Sequence, residues 1–363
     1  MAIRHYEGEL GIFDYDDEMF TLMKDNDNDL ITSLPFYGKG DDCLHLNDFY
    51  KGPISLPKGI TSTHGMFAGC TNLKDCYFKD FDTSNVTDMS AMFFNCDIPA
   101  GFSLGYKFDT SNVINMQAMF LGCKIPDGFS LGEKFDTSQV TRMDHMFSVC
   151  KISDGFSLGD KFNTSKVENM NWMFSGCEIF DGFSLGDKFD TSNVTNMQEM
   201  FYSCEIPDGF LLGDKFDTQQ VRNMRRMFDR CKIPDEFLLG DKFDTSNVDD
   251  MSYMFEDAYL PDNFTLGDKF DTSKVKNMSG MFKNCIFEGS HIEFGDKFDA
   301  NKAAFMRGMF KNVIIAGKPG KVHADKDGRI DVFRPMSEVE IAALKALKEA
   351  DPEHDKGHGG LGE

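Results

Sequence analysis

The apolar residues of this chain follow one pattern that recurs along most of its length. A Met-Phe pair marks each repeat, and successive pairs are separated by 26, 27 or 28 residues. The first members of these pairs are Met66, Met92, Met119, Met146, Met173, Met200, Met227, Met254, Met281 and Met309. Self-similarity at a fixed period of this length is typical of repeat proteins, so the pattern predicts an array of stacked units.

Within one unit the apolar spacing changes from that of a strand to that of a helix. Phe183 and Leu185 flank a polar residue with period two, which is typical of a short strand with one buried face. From Val194 to Phe201 the apolar residues follow at i, i+3, i+6 and i+7, which is helical spacing. We therefore expect an α/β repeat with one short strand and one short helix in each 27-residue coil.

A polar Asp-Thr-Ser phrase precedes the predicted helix in most units. Its side-chain oxygens are suited to accept hydrogen bonds from the free N–H groups at the start of a helix. The first position of this phrase holds Asp82, Asp109, Asp136, Asn163, Asp190, Asp217, Asp244, Asp271 and Asp299. Because Asn163 replaces the carboxylate in one unit, we infer that the position needs an acceptor more than a negative charge.

The phrase FDTSNVTNMxxMFxxC, read from Phe189 to Cys204, resembles the repeat of the BspA-like leucine-rich-repeat family. The resemblance extends from about Met66 to Phe310. It implies a right-handed, leucine-rich-repeat-like solenoid that serves as a binding scaffold, commonly on microbial surfaces, for host proteins or other cells. A single coil cannot bury its own apolar edge, so the coils must stack and the array needs N- and C-terminal caps.

The domain boundaries follow from where complete units begin and end. Residues 1–62 are predicted to form an N-terminal cap, with residues 44–46 and 54–57 as degenerate strands, and residues 63–313 to form the solenoid. Residues 314–350 are predicted to form a C-terminal cap. It combines a hairpin, turning at an Asp-Gly dipeptide, with a helix that starts at a capping box of Ser337 and Glu340. The polar residues 351–363 are expected to be a disordered tail.

Composition and charge narrow the class of partner and the location. The formal net charge of −22 disfavours nucleic acid and anionic membranes, because clustered Lys and Arg side chains recognise both. No apolar run of about 18 residues occurs, so we expect no membrane insertion. The acidic N-terminus lacks the apolar core of a signal peptide. We expect a cytoplasmic protein, and the family resemblance leaves a cell-surface location open.

Most of the cysteines occupy one position of the repeat, four residues after the methionine of the Met-Phe pair. They are Cys70, Cys96, Cys123, Cys150, Cys177, Cys204, Cys231 and Cys285. Stacking would bring neighbouring cysteines within disulfide range. However, Ala258 and Val313 occupy the same position in two units, which indicates a small apolar core site. We therefore predict reduced, buried cysteines and no metal site.

No motif presents a nucleophile with a base, a phosphate loop or a nucleotide fingerprint. The segment from Asp325 to Asp331 is similar to the start of a calcium loop, but position 12 of such a loop would be Met336 instead of a glutamate. We interpret this segment as the hairpin turn, with calcium binding as the lesser alternative. The chain is expected to be neither an enzyme nor a cofactor-binding protein.

The residue before each Met-Phe pair varies more than the other positions of the repeat. It reads Ala91, Ala118, His145, Trp172, Glu199, Arg226, Tyr253, Gly280 and Gly308. Drift on a solvated face is one interpretation, but Trp, Tyr and Arg are also the residues that dominate interface energetics. We predict that a protein partner contacts the large residues here and their neighbours, namely His145, Trp172, Glu199, Tyr202, Arg225, Arg226, Arg230 and Tyr253.

The rival surface is the outward position of the predicted strand. It reads Ser103, Ser130, Ser157, Ser184, Leu211, Leu238, Thr265 and Glu293. A row of hydroxyls could bind a repetitive glycan, and two adjacent leucines could form a dimer contact or a docking site, so the oligomeric state stays open.

The leading function is a non-enzymatic interaction scaffold that binds a protein partner, with adhesin-like recognition if the chain is exported. The alternative is an intracellular regulatory or inhibitory protein, for instance one encoded by a mobile element, whose acidic surface covers a basic target.

Overall fold

The structure is a computed structural model. It describes residues 3–8, 11–16, 22–25, 52–53, 56, 60–69, 73, 76–77, 81–153, 155–262, 264–289, 292–299, 303–324 and 330–350.

Successive coils of the array stack on one another in parallel. Lys124 pairs with Lys151, and Lys151 pairs with Glu178, so each coil lies one 27-residue repeat from the next. A second ladder of single bridges joins the residue at the start of each Met-Phe segment to its equivalent in the next coil. It runs through Asp88, Asn115, Arg142, Asn169, Asn196, Asn223, Asp250, Asn277 and Phe305. The chain is therefore a repeat protein built from short strands.

The strands of the described residues fall into four sheets. Near the N-terminus, β1 (Ile3–Gly8), β2 (Gly11–Asp16) and β3 (Leu22–Asp25) form an antiparallel sheet, and β4 (Gly52–Pro53) pairs in parallel with β5 (Cys76–Tyr77). In the array, β6 (Lys124–Ile125), β7 (Lys151–Ile152) and β8 (Glu178–Ile179) form one parallel sheet. The strands β9 (Tyr259–Leu260), β10 (Ile286–Phe287) and β12 (Ile314–Ile315) pair in parallel in the fourth sheet, which also contains β11 (Ile292–Glu293).

Two expectations for the N-terminal region concern residues that the structure largely does not describe. Residues 44–46, predicted as one degenerate strand, lie outside the described residues, and only Leu56 of residues 54–57 is described. Leu56 is partly buried and packs against the core of the array.

The short helix expected in each coil was a wrong prediction, because the Met-Phe segment is a run of tight turns. The Met200 N–H donates within its coil to the Met197 carbonyl (3.2 Å), whereas the Glu199 N–H donates to the Arg225 carbonyl of the next coil (2.9 Å). An α-helix would direct its N–H groups back along its own axis. Stacking requires alternate N–H groups to point at the neighbouring coil, so turns replace the helix.

The strand expected at the Phe-Ser-Leu phrase was also misplaced. The strands β6, β7 and β8 lie directly after the cysteine, and the described Phe-Ser-Leu segments contribute a single bridge, between Ser130 and Ser157. At Ser184 the hydroxyl accepts a hydrogen bond from the Gly186 N–H (3.1 Å), and Gly186 has a φ of 79°. A serine that bonds the backbone two residues later favours a turn over an extended strand.

The Asp-Thr-Ser phrase closes a turn and ties neighbouring coils together, so its predicted role as a helix cap was wrong. The Asp190 carboxylate accepts from the Ser192 N–H (3.0 Å), and the buried Thr191 hydroxyl donates to the Asp217 carbonyl in the next coil (2.8 Å). The side-chain oxygen of Asn163 accepts from Ser165 N–H in the same way (2.9 Å). The inference that this position needs an acceptor is therefore confirmed.

One hydrophobic core runs through the described coils from Ile60 to Ile315. Equivalent phenylalanines stack in register along it: the Phe147 and Phe174 rings lie 5.7 Å apart, as do Phe174 and Phe201, each pair within 8° of parallel. The methionines of the Met-Phe pairs are fully buried beside these rings from Met92 to Met281. Because each coil covers the apolar edge of the next, the array is held together by nearest-neighbour contacts.

The cysteine column is reduced and buried at the seven positions that the structure describes; Cys70 lies outside the described residues. Each thiol points at a backbone carbonyl of the preceding coil, as Cys204 donates to Phe174 (2.8 Å) and Cys231 to Phe201 (2.7 Å). The prediction of a small, buried core site is confirmed for these residues.

The last strands and a helix follow the final coil. β13 (Lys318–Ala324) pairs antiparallel with β14 (Ile330–Pro335) and with β12, and β11 pairs with β14. Residues 325–329, which contain the predicted turn, lie outside the described residues, as do residues 351–363. α1 (Glu338–Ala350) begins in the predicted capping box: Ser337 N–H donates to the Glu340 carboxylate (2.9 Å), and Glu340 N–H to the Ser337 hydroxyl (3.4 Å).

Across the described residues, no helix has the length and apolar character needed to cross a membrane.

Candidate partner-binding ridge

The eight residues proposed from the sequence lie on neighbouring coils in the middle of the array, and we call this set the ridge. Its members are His145, Trp172, Glu199, Tyr202, Arg225, Arg226, Arg230 and Tyr253. Five of them precede a Met-Phe pair, and all five have a left-handed backbone, with φ between 55° and 62°. They are His145, Trp172, Glu199, Arg226 and Tyr253.

The equivalent position near both ends of the array is glycine. Gly65, Gly280 and Gly308 have φ values of 62°, 61° and 67° there. A left-handed backbone costs a side chain other than glycine roughly 1–2 kcal/mol per residue. Ala91 and Ala118 also adopt this conformation, and the five successive coils that follow carry a large side chain there.

The aromatic half of the ridge is a stack of rings. The His145 and Trp172 rings lie 5.6 Å apart and within 6° of parallel, and the Trp172 and Tyr202 rings lie 6.0 Å apart with a tilt of 45°. All three side chains are half-buried. The only Trp of the chain therefore packs against His145 of the preceding coil and Tyr202 of the following coil.

The cationic half packs on Tyr253. The guanidinium carbon of Arg226 lies 4.9 Å from the centre of the Tyr253 ring, and that of Arg225 lies 5.6 Å from it. Gly280 makes room for this ring, because a Cβ atom there would lie 2.4 Å from Tyr253 Cδ1. Arg230 lies 5.9 Å from the Tyr202 ring and so links the two halves.

Two buried carboxylates lie beneath the cationic half, and sequence reasoning missed both. Arg226 Nη1 lies 2.9 Å from the carboxylate of Asp229, whose side chain is fully buried, and Lys283 Nζ lies 2.5 Å from that of Glu256. Burial raises the pKa of Asp229 to about 7, against the opposing effect of Arg226. Both acids lie three residues after the varied position, and this spacing was the sequence signal that could have identified them.

Two further carboxylates, those of Asp144 and Glu199, belong to the coils of the aromatic half. Asp144 accepts a hydrogen bond from the Gln117 amide (2.6 Å) and lies 3.7 Å from His145 Nδ1. Burial raises the pKa of Asp144, but the nearby His145 ring and the Arg142 charge outweigh this effect and leave the pKa lowered. Glu199 is buried, which raises the pKa of its carboxyl group. The sequence placed Glu199 on the outer face, and the structure corrects this.

The rival surface consists mainly of turn residues. The hydroxyls of Ser130 and Ser157 accept hydrogen bonds from the glycine N–H groups two residues later (both 3.1 Å), so they support the backbone. Leu211 and Leu238 depart from this pattern and are 63% and 56% exposed. They line a shallow cleft together with Asp214 and Asp241.

The metal-binding chemistry considered from the sequence can be checked only among the described residues. Among the described residues, no group of three or more His, Cys, Asp or Glu side chains is arranged to hold a metal ion. The ridge can offer flat aromatic faces, guanidinium donors and a buried acid layer, which are means of binding.

The comparisons with known proteins bear on the repeat. No curated protein and no solved structure matches the chain. One family model matches it in four overlapping segments, residues 57–151, 101–207, 130–238 and 206–317. Together the segments cover most of the chain, and their overlap reflects the repeated unit. The chain therefore belongs to the family described as Mycoplasma protein of unknown function, DUF285.

Proposed function

We propose that the chain is a non-enzymatic binding scaffold and that the ridge contacts a protein partner. The proposal includes the finer form of the fold, a right-handed solenoid of the BspA-like leucine-rich-repeat type, and adhesin-like recognition if the chain is exported. The observation that carries it is the run of large side chains held in a left-handed backbone from His145 to Tyr253. Strained backbone that persists across several coils points to a use for those side chains.

The side chains of the ridge suit a protein interface. Aromatic rings and guanidinium groups supply most hot spots because they bury a large area and also donate hydrogen bonds. Here the rings of Trp172 and Tyr253 are already fixed by stacking, so little rotamer freedom is lost on binding. Arg225 and Arg230 bring positive charge to a protein whose net charge is −22, which favours a partner with a local acidic patch.

The test compares partner capture by two triple variants. In the ridge variant, Trp172→Ala, Arg225→Ala and Tyr253→Ala remove three half-buried side chains of the ridge. Alanine suits the left-handed backbone at positions 172 and 253, because Ala91 and Ala118 occupy the same position in other coils. Arg226 stays in place, since its loss would remove the nearer of the two cations beside the buried Asp229 carboxylate, at 2.9 Å against 3.8 Å for Arg230. The control variant is Lys161→Ala, Lys188→Ala and Lys215→Ala, which changes three exposed residues on three successive coils.

The wild type and both variants are immobilised and exposed to extract from the source cells, and the bound proteins are quantified by mass spectrometry. We expect at least one protein to be captured equally by the wild type and the lysine variant, and at least tenfold less by the ridge variant, since loss of a single hot spot costs about 2 kcal/mol or more, roughly thirtyfold in affinity. Equal capture of every bound protein by all three chains would contradict the proposal.

A second candidate is the regulatory or inhibitory protein that covers a basic target, and the exposed leucine pair favours it. Leu211 and Leu238 lie beside the exposed carboxylates of Asp214 and Asp241. This arrangement is complementary to a partner surface on which cations surround an apolar centre. The variant Leu211→Ser, Leu238→Ser introduces the residue of the earlier coils and should keep the turn. Loss of captured basic proteins with this variant, but not with the ridge variant, would support this candidate over the first.

A further inference from the structure

The final coil departs from a hydrogen bond that most of the described coils make. At the start of the Met-Phe segment, an Asp or Asn side chain accepts the N–H group two residues later, as Asn223 does from Arg225 (3.0 Å) and Asn277 from Ser279 (3.1 Å). Phe305 occupies this position in the final coil, and its side chain cannot accept. The N–H group of Arg307 consequently has no acceptor among the described residues.

The backbone hydrogen bonds that join successive Met-Phe segments also all run in one direction along the array. N–H groups of each coil donate to carbonyls of the following coil, as in Gly280 to Arg307 (3.0 Å) and Phe282 to Met309 (2.8 Å). The same direction holds from the coil of Met66 to the coil of Met309. The ladder must therefore finish with unused donors at its C-terminal end.

These donors lie on the final coil. The N–H groups of Met306, Gly308 and Asn312 occupy the positions that donate to a following coil elsewhere, and no acceptor for them is found in the part of the chain that the structure describes. β13 pairs with β12, which lies beyond this segment, so the hairpin does not complete the ladder here. We call residues 305–312 the donor edge.

The side chains of the donor edge are apolar and basic. Phe305 is 63% exposed and Met306 41% exposed, and Arg307 and Lys311 are also exposed. A terminal coil that served only as a cap would be polar, because an exposed apolar rim invites association. The donor edge instead combines unpaired N–H groups, an aromatic anchor and two cations.

We propose that the donor edge binds an extended, acidic peptide segment of a partner protein as one additional rung of the array. The peptide carbonyls accept from the free N–H groups, an apolar side chain packs on Phe305, and carboxylates pair with Arg307 and Lys311. Addition of a peptide to an open backbone ladder is an established mode of recognition, with backbone bonds for affinity and side chains for specificity. This surface is separate from the ridge and does not depend on it.

The array contains a segment that already makes this kind of contact. In residues 249–258 the carbonyls of Asp250, Ser252 and Glu256 accept from the preceding coil, at 2.9, 3.0 and 2.7 Å. The same segment carries the acidic residues Asp249, Asp250, Glu256 and Asp257. A synthetic peptide of this sequence is thus a suitable probe for the donor edge.

The experiment measures binding of this labelled peptide to the full chain by fluorescence anisotropy. We expect saturable binding that weakens at least tenfold in Phe305→Asn, which removes the ring and restores the acceptor for Arg307. The matched control, Phe180→Asn, changes another exposed phenylalanine far along the array and should bind as the wild type does. Asparagine is the residue of other coils at position 305, so this variant is expected to fold, and circular dichroism checks that it does.

Four results would overturn the proposal. The first is the absence of saturable binding, and the second is equal affinity in Phe305→Asn and the wild type. The third is binding that occurs only after residues 351–363 are deleted, which would assign the donor edge to the chain's own C-terminal segment. The fourth concerns a peptide with its four acidic residues changed to amides, which should bind more weakly: equal affinity would contradict the role of Arg307 and Lys311.

Discussion

At the position before each Met-Phe pair the backbone is left-handed, which favours glycine, yet most of the described coils place another residue there. The sequence identified this position by its variation. Only Gly65, Gly280 and Gly308 hint at a left-handed backbone there, because the five middle coils carry large residues. A clearer signal lies four residues later, where glycine and asparagine recur, as at Gly122, Gly176 and Asn284, all with positive φ. Repeated Gly and Asn at one position are the ordinary mark of a left-handed residue.

Glu199→Gly tests the cost of this geometry. Glycine removes the left-handed strain and the buried carboxyl group, and it adds conformational entropy to the unfolded chain. The strain and burial effects together exceed the entropy effect, so the free energy of unfolding should rise by about 1 kcal/mol. The urea midpoint of unfolding measures the change. Glu178→Gly is the control: Glu178 is exposed in β8, and glycine there should lower the midpoint. A lower midpoint for Glu199→Gly would contradict the account of strain.

Asp229 should make stability depend on pH. Its folded pKa of about 7 lies above the ordinary value of 3.8, so between pH 4 and 7 the folded chain holds a proton that the unfolded chain has lost. The contribution of Asp229 to stability therefore falls as pH rises through this range. The charged groups around it are Arg226, Arg230, Glu256 and Asp257.

The difference in unfolding free energy between Asp229→Asn and the wild type isolates this effect, because the variant cannot ionise at position 229. We expect this difference to shift in favour of the variant from pH 4 to pH 8, measured by denaturant unfolding at each pH. A difference that stays constant over this range would show that Asp229 titrates at its ordinary pKa in the folded chain.

Within one coil, the spacing of apolar residues alone led to the wrong secondary structure for the Met-Phe and Phe-Ser-Leu segments. Apolar residues at i, i+3 and i+7 fit a helix, yet a run of three-residue turns with left-handed residues such as Glu199 and Ser203 returns side chains to the core at similar spacing. A helix and a run of turns differ in which carbonyl accepts each backbone N–H group. In the turns, half of these carbonyls belong to the neighbouring coil, and the spacing of apolar residues within one coil contains no information about it. The cysteine position was predictable, because Ala258 and Val313 showed directly that it is a core site.

The cysteine column should resist chemical modification while the coils stay stacked. Burial raises the pKa of Cys204 to about 12 and that of Cys231 well above its ordinary value, so few thiolates form, and the thiols are also shielded from reagent. We expect iodoacetamide at pH 8 to leave Cys96 through Cys231 in this column unmodified in the native protein and to alkylate them in urea. Peptide mapping by mass spectrometry reads each site, and rapid native alkylation at these positions would contradict the packing.

At the scale of the whole molecule, the repeat determines which residues lie side by side on the surface. The sequence predicted stacking correctly from the 27-residue period, and the pairing of Lys124 with Lys151 and of Lys151 with Glu178 confirms that step. Stacking is what places Trp172 beside His145 and Tyr253 beside Arg226, residues a full repeat apart in the chain. The donor edge was not predictable, because it arises from the direction of the backbone ladder and from where the array ends.

The most direct test of this account measures how the array lengthens with each repeat. Spin labels carried by unnatural amino acids are placed in pairs at exposed equivalent positions, Glu133 with Asp241, with Asp268 and with Asp296, which lie four, five and six coils apart. With about 4.8 Å per coil, electron–electron distance measurements should give backbone separations near 19, 24 and 29 Å. Distances that do not increase by one such step per coil would contradict the stacked array, and with it the ridge and the donor edge.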